Sequence, residues 1–348
     1  MLARRTLGLV AAALLASAAS ATLCGCSKDT ALRITNVYEN GDTDFHYDYC
    51  ENLGDGRGFT AGIAGFCTGT SDAWEVIQEY HKLTGGNDAF SPMDAVLAKY
   101  SDSGSDSTSG LTDYCAVWEK LGKTDVKFQH AQDTVRDALY FTPSQAAADK
   151  LGLKFDISRG QLYDTGIEHG TGSDADGLLA LVDGASKTFT ADQTGDSGST
   201  LNINGHKVDE IAWLKAFIAV READLTNPKE KDNQGGNYWA QTTYRTKSYT
   251  YAIGLKEYMY GSSIKILDND GKPMTVKCGI STGGGSSNTT TSDSSNSRRR
   301  RRDARGVPIK RYRTLVPPSG PPTKRRLRPA LQNNDVSAAR HHLDDILG

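Results

Sequence analysis

Three runs decide the reading of this chain: Tyr38-Glu39-Asn40, then Asn52-Leu53-Gly54-Asp55-Gly56-Arg57-Gly58-Phe59-Thr60, then Gly62-Ile63-Ala64-Gly65-Phe66-Cys67-Thr68-Gly69-Thr70-Ser71-Asp72. The first closes a predicted helix. The second is a glycine-rich ribbon, whose spacing suits a small sheet between Phe45 and Phe66 with a tight loop at its tip. The third ends in Ser71-Asp72, residue types that open helices, and the next helix follows with Trp74, Ile77 and His81 on one face. A carboxylate on a helix end, Glu39, is therefore expected to face a carboxylate on a sheet loop, Asp55, across a groove. Glycosidic bond cleavage needs that pairing: a protonated acid for the leaving oxygen and an ionised partner opposite. By residue type alone two acids sixteen positions apart are most simply surface charges.

Outward from this stretch, helical periodicity dominates. Phe128, Ala131, Val135, Ala138 and Leu139 form one apolar stripe on a helix predicted from about Asp125 to Tyr140. Thr142-Pro143 reads as cap and first position of the next, reaching Leu151. Ile211, Leu214, Phe217 and Ile218 mark another helix between Val208 and Asp224. A hairpin of Ser263–Leu267 and Met274–Cys278 is expected to turn at Asp270-Gly271. The pattern predicts a mainly helical protein with two β regions.

The motifs, taken in order, resemble the family-46 chitosanases. Glu-Asn comes first, then Tyr47 followed by seven residues and Asp-Gly-Arg-Gly-aromatic-Thr, then Gly-Ile-x-Gly-Phe and Gly-Thr-x-Asp. Downstream, Phe128-Gln129-His130-Ala131-Gln132, Arg136-Asp137, Tyr163-Asp164, His169-Gly170 and the Leu214-to-Arg221 helix continue the likeness. It runs from about Ala31 to Cys278.

This resemblance implies a mainly α, α+β lysozyme-like fold, in which two helical lobes and a small β-sheet flank a substrate cleft. It implies endo-hydrolysis of β-1,4-linked glucosamine polymer with inversion and without a cofactor or metal. Glu39 would be the general acid, Asp55 the general base and Thr60 the group that positions water. Tyr49, Arg57, Asp72 and His169 match substrate-side positions, with helix capping the competing explanation for Asp72 and packing behind the site preferred for His169 over direct catalysis. Asp164, Arg221 and Arg245 match an ion-pair network orienting the acid. The loop between Glu39 and Asp55 is about two residues shorter than in members of the family, Phe59 stands where Tyr is common, and the Ser/Gly-rich segments Ser101–Gly110 and Ala191–Thr200 fall outside the shared core. Two other readings stand beside this one: a lysozyme-like hydrolase of N-acetylated wall polymer, and a polysaccharide-binding protein without turnover.

Composition narrows the partners. The 348 residues carry 40 Lys+Arg against 42 Asp+Glu, a net of −2 that averages two unlike parts. From Arg298 onward fourteen basic residues meet four acidic ones, whereas between Thr22 and Ser297 there are 24 basic and 38 acidic residues, a net of −14. Such a body repels nucleic acid and anionic membranes and suits a cationic polymer. Residues 1–21 have the basic, apolar and Ala-x-Ala order of a secretory signal, and the apolar run is too short to span a membrane. The expected organisation is a leader over 1–21, a catalytic domain over 22–280 and a disordered Ser/Thr/Gly- and Arg/Pro-rich tail over 281–348, exported and monomeric. Six cysteines in an oxidising compartment predict one or two disulfides, with Cys50–Cys67 as the attractive pair flanking one ribbon. No paired CxxC suggests zinc, and Ser173-Asp-Ala-Asp-Gly177 lacks the remaining ligands of a calcium loop.

Overall fold

A computed structural model describes residues 22–234 and 239–280, so the leader and the basic tail lie outside the described residues. Helix α1 (Gly25–Asn40) leads into three short antiparallel strands, β1 (Cys50–Asn52), β2 (Phe59–Ala61) and β3 (Phe66–Cys67). Helices α2 (Asp72–Thr84), α3 (Asp94–Ser103), α4 (Tyr114–Thr124) and α5 (Val126–Arg136) follow, and a π-helical turn, Asp137–Phe141, runs on into α6 (Thr142–Leu151). Next come α7 (Asp156–His169), α8 (Leu178–Ser186), the hairpin β4 (Thr200–Ile203) and β5 (His206–Asp209), α9 (Glu210–Thr226) and α10 (Tyr244–Gly254). A last hairpin pairs β6 (Ser263–Leu267) with β7 (Pro273–Lys277), Ile264 opposite Val276.

Two apolar cores divide these elements into lobes. In the smaller lobe Phe66, Phe90, Tyr114, Trp118 and Phe128 are fully buried between the three-stranded sheet and α2–α5. In the larger, Ile34, Val37 and Tyr38 of α1 pack with Leu162, Trp213, Phe217 and Ile264 from α7, α9 and β6. Phe45, just after α1, packs against both cores. The π turn carries the chain back from the smaller lobe to the larger, and Lys28 Nζ of α1 pairs with Asp137 Oδ2 on it at 2.5 Å. The mainly helical, lysozyme-like α+β fold expected from the sequence is thus observed. Among the described residues no helix is long and apolar enough to cross a membrane.

Local chemistry sets the element ends that matter for function. Helix α1 stops because Gly41 takes a left-handed conformation, φ 79°, and its N–H donates to the Val37 carbonyl. Glu39 is thereby left on the last turn. Asp125 caps α5, accepting from the N–H groups of Lys127 and Phe128, and Asp209 does the same for α9 with Ile211 and Ala212. In the ribbon Gly54, Gly56 and Gly58 all have positive φ (65°, 82° and 77°), which lets six residues fold back between β1 and β2.

Three expectations are corrected. Thr142 is no cap: its φ of −58° and ψ of −47° are helical, because the π turn feeds α6 without a break. A third β element, β4–β5, follows the Ser/Gly-rich segment Ala191–Thr200 and takes in Val208, the residue at which the sequence predicts a helix to begin; Gln193 adds to its edge by bonding Lys207 and Asp209. The disulfides are Cys26–Cys278 and Cys50–Cys115, with Cys67 a buried thiol and Cys24 exposed. Cys50 pairs in register with Ala61 and Cys67 with its neighbour Thr60, so the two cysteines are on outer strands across β2, with side chains on opposite faces. Two strand spacings, about 10 Å, are beyond disulfide reach.

The Cys26–Cys278 bond ties the start of α1 to the end of β7 across 252 residues of sequence. Cys278→Ser is expected to lower stability by about 2–5 kcal/mol, read as a fall in the denaturant midpoint, because the bond restricts so long a loop in the unfolded chain. An unchanged midpoint would show that the bond is dispensable.

Candidate active site

Between the lobes lies a cleft of about 790 Å³, open solvent at its mouth included. Thr35, Asn36 and Glu39 of α1 line one wall, Arg57, Thr60 and Ile63 of the sheet lobe the other, and Arg136, Tyr163 and Glu168 the floor between them. The helix-end carboxylate and the ribbon therefore do share one concavity.

Glu39 is held from behind. Its side chain, 22% exposed, pairs with the guanidinium of Arg245 on α10, itself fully buried. Arg245 Nη1 reaches Asp164 Oδ1 at 2.9 Å, Arg221 Nη1 reaches Asp164 Oδ2 at 2.8 Å, and Thr35 Oγ1 donates to Asp164 Oδ1 at 3.1 Å. The predicted trio Asp164, Arg221 and Arg245 is thus one buried network that reaches Glu39. A fourth member was not singled out from the sequence: Glu168, whose Oε2 lies 2.5 Å from Arg221 Nη2 and whose Oε1 lies 3.6 Å from Arg245 Nε. Burial would raise the Glu168 pKa, but Arg245 and Arg221 outweigh it and hold the carboxyl at about 2. The signal was available, since Glu168 follows Asp164 by four residues on one helix and so shares its face.

On the opposite wall Asp55 is not among the side chains lining the cleft. It stands beside Arg57, which lines it: Arg57 Nε and Nη2 meet Asp55 Oδ2 at 3.0 and 2.5 Å, and the Arg57 N–H donates to Oδ1 at 3.2 Å. Thr60 is buried at the centre of the sheet, opposite Glu51 on β1 and Cys67 on β3, with Oγ1 3.4 Å from the Cys67 sulfur.

Three other residues from the sequence reading sit elsewhere. Asp72, the first residue of α2, is 8% exposed, and its Oδ1 accepts from Cys67 N–H, Thr70 Oγ1 and Ala73 N–H, which ties the end of β3 to the first turn of the helix; the cap position is Ser71, which makes no side-chain cap bond. Burial raises its pKa above the usual carboxylate range, only partly offset by the Thr70 and Cys67 bonds and by Arg57. His169, assigned to substrate from the resemblance, has no exposed side-chain surface. Its Nδ1 meets the Asp176 carbonyl at 3.0 Å, its ring packs edge-on against Trp239, and burial presses its pKa down to about 3. The α7 end and the Asp176 loop close over it, so its side chain presents no surface to the cleft. Tyr49 donates to Glu51 Oε2 at 2.7 Å on the outer strand and does not line the cleft.

The charged side chains lining the cleft are Glu39 and Glu168 against Arg57 and Arg136, balanced in sign, within a body whose net charge over Thr22–Ser297 is −14. Among the described residues no group of three or more His, Cys, Asp or Glu side chains is arranged to hold a metal ion. Chemically, one carboxylate aimed into the cleft from α1 and a second tethered at the opposite rim fit proton donation on one side of a bound chain and proton removal on the other.

Comparison with known proteins agrees with this geometry. The profile described as Glycosyl hydrolase family 46 matches residues 33–252. The chain is 34% identical over 258 residues to a protein named chitosanase from Bacillus subtilis (strain 168), covering 73% of this chain and 87% of that one. Among solved structures, native chitosanase from Bacillus subtilis MY002 superposes with a TM-score of 0.62 at 32% identity, covering 73% of this chain and all of that one. A Gynuella sunshinyii chitosanase in complex with chitotetraose gives 0.62 at 30% identity, with 73% and 99% covered.

Proposed function

The chain belongs to glycosyl hydrolase family 46, and from that premise we propose that it is an endo-acting chitosanase, cleaving β-1,4 linkages of glucosamine polymer with inversion. Glu39 gives its proton to the glycosidic oxygen as the bond to the anomeric carbon breaks. Water attacks that carbon from the opposite face, and Asp55 takes the proton the water loses. Thr60 accepts a hydrogen bond from the water, and Arg57 fixes the direction of the Asp55 carboxylate. The observation that supports this reading is the two-lobed cleft, with Glu39 paired to Arg245 on one wall and Arg57 and Thr60 on the other, Asp55 being bound to Arg57 beside it. The two disulfides support export to an oxidising compartment.

Release of reducing ends from fully deacetylated polymer, compared with fully acetylated polymer, tests the substrate. Rapid release from the first and little from the second is expected. The reverse order would identify a wall hydrolase, and no release from either a binding protein.

The net charge of −14 over Thr22–Ser297 acts at long range, so kcat/KM on deacetylated polymer is expected to fall several-fold as salt rises to about 0.5 M, where the Debye length drops below ~5 Å. A salt-independent kcat/KM would show that the body charge plays no part in capture.

A further inference from the structure

We propose that Glu168 is a positioning residue for the catalytic acid, setting the charge of the network that holds Glu39 and acting through Arg245. The inference rests on the reading of Glu39 as the acid. Two guanidiniums, Arg221 and Arg245, are buried side by side behind the cleft. Asp164 bridges them with one oxygen each, at 2.8 and 2.9 Å. One carboxylate leaves two cations half neutralised. Glu168 is the second anion, 1% exposed, and it too touches both guanidiniums. The four groups form a closed ring of alternating sign whose charges cancel without Glu39. Glu39 lies outside that ring, on the cleft side of Arg245.

The other groups facing this ring do not alter the balance. From α7, His169 lies 3.8 Å from Glu168 and is kept neutral by burial. From α9, Asp224 approaches His169 at 3.6 Å and is itself paired with Lys229 at 2.8 Å. From the turn Trp239–Thr242, the Thr242 hydroxyl bonds Glu168, and from α10 the uncharged phenol of Tyr244 faces Arg245. Tyr163 of α7 lies near Glu39 and is likewise a neutral phenol.

The consequence is chemical. An acid catalyst must be oriented by a fixed partner yet keep its proton until the leaving oxygen takes it. A ring without Glu168 would carry a positive charge against Glu39 and favour loss of that proton. With Glu168 in place, Arg245 orients the carboxyl while its own charge is already matched.

The test is the pH dependence of kcat/KM for Glu168→Gln in the full chain. The variant leaves the ring positive, so the alkaline limb, where the acid loses its proton, is expected to move to lower pH by about one unit. Glu168→Asp keeps the charge on a shorter arm, and is expected to lower kcat while leaving the limb at the wild-type position. A Glu168→Gln limb superimposed on wild type would overturn the proposal, even if kcat fell. Should Glu168→Gln not fold, Glu168→Asp decides: an unmoved limb supports the proposal and a limb shifted downward overturns it. Glu39→Gln separates the premises. If that variant keeps full activity, the assignment of the acid fails; if it is inactive and the Glu168→Gln limb is unmoved, only the role of Glu168 fails.

Discussion

Glu39→Gln is expected to lower kcat on deacetylated polymer by ~10²–10⁴-fold while leaving oligomer affinity nearly unchanged, because it removes a proton donor and little else. The amide has the shape of the acid, and its oxygen still accepts from Arg245, so the wall of the cleft is preserved. Without the transferable proton the leaving oxygen must depart as an alkoxide. Turnover measured beside calorimetric binding of a glucosamine oligomer separates the two effects. A variant retaining wild-type kcat would remove Glu39 from the mechanism, and a variant that neither binds nor turns over would show that the side chain builds the cleft rather than working in it.

Arg221→Met carries the largest expected cost to stability. Arg221 is fully buried between Asp164 and Glu168, and an apolar side chain there leaves two carboxylates sharing one cation. Breaking a buried pair by removing one partner costs about 3–5 kcal/mol, and the thermal midpoint of a domain of this size should fall by roughly 5–15 °C. The sign of its pH dependence follows from Glu168, whose carboxyl is held down from 4.5 to about 2. In the wild type the stability from that pairing is present above pH about 4.5 and is lost as pH falls towards about 2. The variant has less of it to lose, so the gap between the two proteins should narrow over that window. A gap that widened on acidification would contradict the account of the network.

The sequence carried the local part of this architecture well and the long-range part poorly. The stripe from Phe128 to Val135 and the final hairpin are periodic signals, and both elements are found. Asn204-Gly205 is as strong a hairpin signal as the chain contains, and both residues have the positive φ such a turn requires, at 51° and 83°. It was missed because its two strands are only four residues each, with β5 running directly into a helix. The cysteine pairing depends on which strands are neighbours and which faces they show, and no spacing encodes that. The position of His169 follows from a loop folding over a helix end. Asp72 shows the limit most plainly: as sequence it reads as a groove ligand with a helix cap as the competing explanation, whereas the bonds its carboxylate makes to Cys67, Thr70 and Ala73 depend on β3 ending beside the start of α2. Glu168 was legible in principle, one turn beyond Asp164, but its pairing with Arg221 and Arg245 is a product of three helices meeting.

Proton NMR of the sugars released in the first moments of cleavage tests the pairing of Glu39 with Asp55 most directly, since a water activated opposite the departing oxygen must reverse the anomeric centre. Fully deacetylated β-linked polymer should yield new reducing ends as the α anomer, which then mutarotate. Initial release of the β anomer would mean that a carboxylate attacks the sugar itself, and the assignment of Asp55 as a base acting on water would be contradicted.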